Sequence, residues 1–101
     1  VSHPREPCGT IIKATGISSL VKTMTRLPVT GYMCRVIEGG VISENPTMER
    51  IANPYPQFSI RNLNLTLYTN EPENLSRADD LLELPELASN WKDSLRKKLG
   101  Y

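Results

Sequence analysis

Gly31-Tyr32-Met33-Cys34-Arg35-Val36-Ile37-Glu38-Gly39-Gly40-Val41 is the stretch on which the fold turns. Tyr32, Cys34 and Val36 alternate with Met33, Arg35 and Ile37, and a period of two sets the groups on opposite faces of a strand. Both faces carry apolar side chains, so the strand is expected to lie buried in a barrel or sandwich. Gly39-Gly40 can take the positive φ angles of a tight hairpin and would turn the chain back. Upstream, the β-branched pair Ile11-Ile12 suggests a short strand that Gly16 breaks. Ile17, Leu20, Val21, Met24 and Leu27 then recur at helical spacing on one face, with Lys22 and Arg26 turned outward, until Pro28 ends the helix. Downstream, Thr47 to Ile51 reads as a last strand.

Ala52-Asn53-Pro54-Tyr55-Pro56-Gln57 holds two prolines that enforce an extended path and forbid a helix across them. The expected division is therefore a mixed unit over residues 1–52, a linker over 53–58 and a three-helix unit over 59–101. Ser59 can cap the first helix, whose Ile60, Leu63, Leu67 and Tyr68 share a face. Asn70-Glu71-Pro72-Glu73 supplies a cap, early acidic residues and a proline suited to a first turn, leading into Leu75, Ala78, Leu81 and Leu82. Ser89 can cap the third, where Trp91, Leu95 and Leu99 repeat and Gly100 supplies a stop. Only about four short strands precede the linker, too few to close a barrel. The expected class is α+β: a partial β-barrel with one helix, followed by a small three-helix unit.

A chain of 101 residues suits one ordinary domain, or part of one with a small appendage, and buries a modest core. Its 39% hydrophobic and 23% charged residues fit a soluble globular protein rather than a disordered or membrane one. No apolar run approaches the roughly 20 residues needed to span a bilayer, and no N-terminal stretch resembles a signal peptide, so a cytoplasmic setting is expected. The formal net charge of +1 argues against a nucleic acid polymer as partner. Arg96-Lys97-Lys98, the one basic run, sits where a helix would end and complements the negative end of its dipole. Glycine spacings support neither a dinucleotide fold nor a phosphate-binding loop. With His3 as the single histidine, no Ser/His/Asp set is available.

The chemistry-bearing candidate is Pro4-Arg5-Glu6-Pro7-Cys8. A thiol in such a loop, with cations near it to favour its ionised form, can act as a soft metal ligand or a sulfur carrier. It can equally be a small buried hydrophobe. Cys8 and Cys34 are the two cysteines, without C-x-x-C spacing or partner histidines, so neither a structural zinc site nor a disulfide framework is expected. Cys34 shares a face with Tyr32 and Val36 and is read as core packing. Arg5 can clamp an anion with its planar fork of donors, or pair with Glu6 or another acid. Arg35, between Met33 and Ile37, needs a partner for its charge, either an anionic ligand or a structural carboxylate.

The Pro4–Cys8 loop together with the Gly31–Val41 run resembles the MOSC family. Ser59-Ile60-Arg61-Asn62-Leu63-Asn64, Leu67-Tyr68, Leu84-Pro85-Glu86-Leu87 and Trp91-Lys92 are similar to the three-helix "3-alpha" extension of its bacterial members. The resemblance implies that residues 1–52 are the C-terminal part of a MOSC β-barrel domain and residues 59–101 a 3-alpha domain. It implies that Cys8 is the catalytic residue and metal ligand, meeting the molybdenum cofactor (molybdopterin), with Arg5 and Arg35 also binding cofactor. His3 stands where the family more often has glutamine. The implied activity is reduction of N-hydroxylated small molecules such as hydroxylamino purines, with electrons from a separate donor protein. Members carry a substantial segment ahead of the cysteine loop. The chain is therefore expected to be a C-terminal portion whose open sheet edge pairs with that missing N-terminal segment or with another copy of the chain. Two other functions fit the same residues: a sulfur-delivery protein holding a persulfide on Cys8, and a non-catalytic interaction module whose helices dock a redox partner.

Overall fold

In the computed structural model, which covers residues 1–101, the sheet expected of the first half shrinks to one antiparallel pair of two-residue strands. β1 (His3–Pro4) faces β2 (Tyr32–Met33), with His3 opposite Met33 and Pro4 opposite Tyr32. The chain is 44% helix and 4% strand. The expectation of an α+β fold with a partial MOSC β-barrel over residues 1–52 is corrected accordingly: these 101 residues form a mostly helical fold.

The physical reason is that a strand exists only where a neighbour takes its amide and carbonyl groups. Beyond Met33 no segment offers a second ladder, and the alternating residues stand in solvent, with Val36 78% and Ile37 96% exposed. Neither Gly39 nor Gly40 takes a positive φ, so the expected hairpin does not form. Thr47 to Ile51 has no regular structure and is exposed throughout. Ile11 and Ile12 belong to a helix instead, α1 (Gly9–Thr15). There the Thr15 hydroxyl donates to the Ile11 carbonyl at 2.7 Å. Gly16, at φ 72°, closes the helix by donating its N–H to the Ile12 carbonyl at 2.8 Å. Local bonds suffice here, whereas a strand would need a partner that is not present.

The next helix forms as expected but shorter, as α2 (Leu20–Arg26), and none of its residues is buried. Its apolar stripe therefore does not build a core.

The core lies wholly in the second half. After a non-helical run from 53 to 58, α3 (Ile60–Tyr68) begins at Ser59, whose side-chain oxygen accepts the Asn62 N–H at 3.1 Å. The second expected helix is broken into α4 (Pro72–Leu75) and α5 (Ala78–Glu83). At the break, the Ser76 hydroxyl donates to the Glu73 carbonyl at 2.8 Å, a side-chain bond that competes with helix continuation. Arg77 turns inward there to donate to the Asn62 carbonyl at 3.3 Å and to Asn74 Oδ1 at 3.4 Å. α6 (Ser89–Leu99) is capped at Ala88, one residue ahead of the expected Ser89, and ends at Gly100 with φ 83°.

Leu63, Ala78, Leu81, Leu87, Trp91 and Leu95 form the buried cluster, with Phe58, Leu67, Leu82, Leu84 and Leu99 packed around it. Lys98, in the last turn of α6, donates from Nζ to the Thr66 carbonyl at 2.7 Å and also to the Thr69 carbonyl, so it caps the end of α3. The first half is fastened to this unit by hydrogen bonds. The Ser2 carbonyl accepts the Ala88 N–H at 3.1 Å, and Asn64 Nδ2 donates to Thr30 Oγ1 at 2.8 Å. No helix is long and apolar enough to cross a membrane.

Candidate functional site

Cys8 occupies the N-cap position of α1 in an extended conformation, φ −139° and ψ 171°, and its carbonyl accepts the Ile11 N–H at 3.1 Å. Cys8, between Pro7 and Gly9, is an exposed free cysteine. The buried-hydrophobe alternative for Cys8 does not hold.

The surroundings hold the thiol below the usual cysteine range. The Thr10 hydroxyl is the main cause, followed by the Thr10 backbone amide; partial desolvation by adjacent atoms opposes them, and the Ile11 amide and the Arg5 charge add smaller contributions. The side chain completes no full capping hydrogen bond, so these donors act by stabilising the charged form nearby rather than by a fixed cap. The neighbouring cation expected to favour the ionised form, Arg5, does so but contributes least. Thr10 is the site residue that sequence reasoning missed. Its signal is Cys-Gly-Thr at a helix start, where the second residue after a cap turns its donors back toward the cap side chain.

Arg5 shares the loop. Its N–H donates to the Gly31 carbonyl at 2.8 Å, and a Cβ placed on Gly31 would sit 3.9 Å from Arg5 Cβ. The one ion pair in the structure is Arg96 to Asp93 at 2.9 Å, so neither Arg5 nor Arg35 has a carboxylate partner. Arg35 is exposed and lies away from the thiol. It lines a groove of ≈ 530 Å³ with Arg50, Asn53, Tyr55 and Phe58, in which neither Cys8 nor Arg5 takes part. Tyr55 donates to Glu86 Oε1 at 3.2 Å on the groove wall, and its ring lies 6.3 Å from that of Phe58 at 32°. Thus Cys8 and Arg5 come together, and Arg35 stands at a separate place.

Cys34, expected in the core, is exposed: β2 stops at Met33 and is itself exposed, with no second sheet to cover the run. His3 and Glu6 line a smaller cavity of ≈ 260 Å³ with Tyr68, Asn90, Trp91 and Ser94. Burial, and then the Glu6 charge, raise the Tyr68 pKa above its ordinary value. No group of three or more His, Cys, Asp or Glu side chains converges on a point. Among these residue types, a soft metal would meet Cys8 alone.

No protein-family profile matches the chain, and no solved structure matches it. Over 98 residues it is 29% identical to "Uncharacterized protein YflK" of Bacillus subtilis (strain 168), an alignment covering 97% of this chain and 44% of that protein. The chain thus spans less than half the length of the curated relative it matches.

Proposed function

We propose that the chain presents Cys8 as the thiolate ligand of a molybdenum cofactor, in a MOSC-like protein that reduces N-hydroxylated compounds such as hydroxylamino purines. One observation carries this reading: the loop thiol resembling the family's cysteine is exposed and its surroundings favour the thiolate. A thiolate is a donor that a soft metal centre prefers. Cys8 and not a barrel supports the assignment, since residues 1–52 form none.

The donor set fits such a group at two points. Cys8 would hold the metal, and Thr10, with its hydroxyl and amide beside the sulfur, would keep that ligand deprotonated. Arg5, in the same loop and without a carboxylate partner, offers paired N–H donors to an anionic group of the cofactor. Arg35 and Arg50 in the larger groove offer a second anion-binding place beside the apolar faces of Tyr55 and Phe58. When bound, the cofactor supplies the two-electron reduction of the N–O bond, with electrons from a separate donor protein.

The full exposure of Cys8 favours a second reading, sulfur delivery. Here the Cys8 thiolate attacks the terminal sulfur of a persulfide donor, releases the donor's thiolate and keeps the sulfur as its own persulfide. The two are separated by assaying protein from molybdenum-replete cells, with an added electron donor, for reduction of a hydroxylamino purine, and by measuring sulfane sulfur on the same protein. Reduction that disappears in Cys8→Ser and persists in Cys34→Ser supports the reductase. Sulfane sulfur on Cys8 without reduction supports delivery. Neither property in the wild-type chain would overturn both.

A further inference from the structure

Asn64 lies on α3 four residues after Ile60 and three before Leu67, where the helical stripe calls for an apolar side chain, and it is fully buried. Its Nδ2 donates to Thr30 Oγ1 at 2.8 Å, while its Oδ1 has no hydrogen-bond partner. A buried amide satisfied on one side costs stability relative to an apolar residue of similar shape, so stability does not account for an asparagine here. What the amide does is directional. The Thr30 hydroxyl that receives it donates to the Gly31 carbonyl at 3.0 Å, and that same carbonyl accepts the Arg5 N–H at 2.8 Å. These hydrogen bonds run in sequence from the core helix to the loop that carries Arg5 and Cys8.

The other ties of this segment lie ahead of β1: the Ser2 carbonyl accepts the Ala88 N–H at 3.1 Å and the Ser2 N–H donates to the Met33 carbonyl at 2.7 Å, whereas the Arg5 N–H donates to the Gly31 carbonyl alone. β1 and β2 pair over two residues each, a ladder too short by itself to resist slipping, and no residue of α2 is fully buried. Apolar contact alone would let the Thr30–Gly31 turn slide over α3, whereas a buried hydrogen bond selects one position. We infer that Asn64 is a positioning residue, which through Thr30 and Gly31 sets where Arg5 and Cys8 stand relative to the helical unit. Its functional meaning rests on the reading of Cys8 as the site thiol, but its physical content does not.

Thr30→Val keeps the side chain's shape and removes the hydroxyl; Thr30→Ser keeps the hydroxyl and trims a methyl group. Amide hydrogen exchange is followed by NMR on the ¹⁵N-labelled full chain, at Arg5 and, as internal references, at Leu81 and Leu95. In Thr30→Val the Arg5 amide is expected to exchange roughly five- to tenfold faster, the scale of one hydrogen bond, with the references unchanged and the Cys8 amide resonance displaced. Thr30→Ser should restore wild-type exchange within about twofold, since the hydroxyl bond that sets the effect is present. Asn64→Leu should reproduce the Arg5 acceleration without lowering the melting temperature; if it does not fold, the Thr30 pair decides. Unchanged Arg5 exchange in Thr30→Val, equal acceleration in both Thr30 variants, or an undisplaced Cys8 resonance would overturn the inference. None of these readouts uses metal, so absence of molybdenum from the wild-type protein would sink the functional reading and leave the positioning result standing on its own.

Discussion

Trp91→Ala removes the largest side chain of the buried cluster. Trp91 is 6% exposed and sits among Leu63, Ala78, Leu81, Leu87 and Leu95, all of them in the second half of the chain. A buried tryptophan removes about 150–250 Å² from water. At roughly 25 cal/mol per Å² that is worth about 4–6 kcal/mol as an upper bound, and truncations of this kind cost about 3–5 kcal/mol in practice. The first half supplies no apolar residue to that cluster, so nothing elsewhere compensates. Against a total of about 5–15 kcal/mol for a domain, the loss removes roughly a fifth of the stability or more. At about 4–8 °C per kcal/mol for a chain of this size, the melting temperature should fall by well over 10 °C. The assay is far-UV circular dichroism with heat and with urea, because Trp91 is the single tryptophan and its fluorescence disappears with the substitution. Trp91→Phe, which keeps an aromatic ring in place, should lose less than half as much. A fall below about 5 °C for Trp91→Ala, against the same calibration, would refute the placement of Trp91 at the centre of the α3–α6 unit.

Thr10→Ala should raise the pH at which Cys8 becomes reactive toward iodoacetamide, measured in a Cys34→Ser background. The thiol is an acid whose folded pKa is lowered, so its thiolate persists to lower pH and is lost as pH falls through that lowered value. Arg5→Ala should move the profile less, since its charge is the smallest contributor; the reverse order would contradict the site electrostatics. Lys98→Met strips the Thr66 and Thr69 carbonyls of a donor and should cost about 1–2 kcal/mol in urea denaturation at neutral pH. Burial lowers the Lys98 pKa below 10.5, so the unfolded chain binds more protons there, and stability should rise slightly as pH climbs through the lowered pKa toward 10.5. That rise should vanish in Lys98→Met, and its persistence would assign it to another group.

The helical half was legible because each helix states its own rule. The stripe Ile60, Leu63, Leu67, the cap at Ser59, the proline at Pro72, the pair Trp91 and Leu95, and the stop at Gly100 are local signals, and local bonds realise them. Residues 31–51 were not legible for the opposite reason. Alternation in Tyr32-Met33-Cys34-Arg35-Val36-Ile37 specifies a strand only if another strand lies beside it, and a partner is a property of the whole fold. Ile11-Ile12 misled likewise, since β-branching weighs less than a helix that Gly16 can close. At the site, Cys8 and Arg5 stood out as a motif. Thr10 and Asn64 did not: the first acquires meaning only once α1 starts at Gly9, and the second is a polar residue on an apolar stripe, visible as an anomaly but not as a link to Thr30.

The most direct test of Cys8 as the site thiol is the molybdenum-to-protein ratio, by inductively coupled plasma mass spectrometry, of protein purified from cells that make the cofactor. Wild type, Cys8→Ser and Cys34→Ser are compared after desalting, with melting temperatures recorded for all three. Cys8 is exposed, and serine is itself a favoured N-cap residue, so replacing the sulfur with the harder oxygen should not lower the melting temperature and should abolish metal retention. Cys34→Ser should match wild type in both. Equal molybdenum in Cys8→Ser and wild type, or none in wild type, would contradict the assignment.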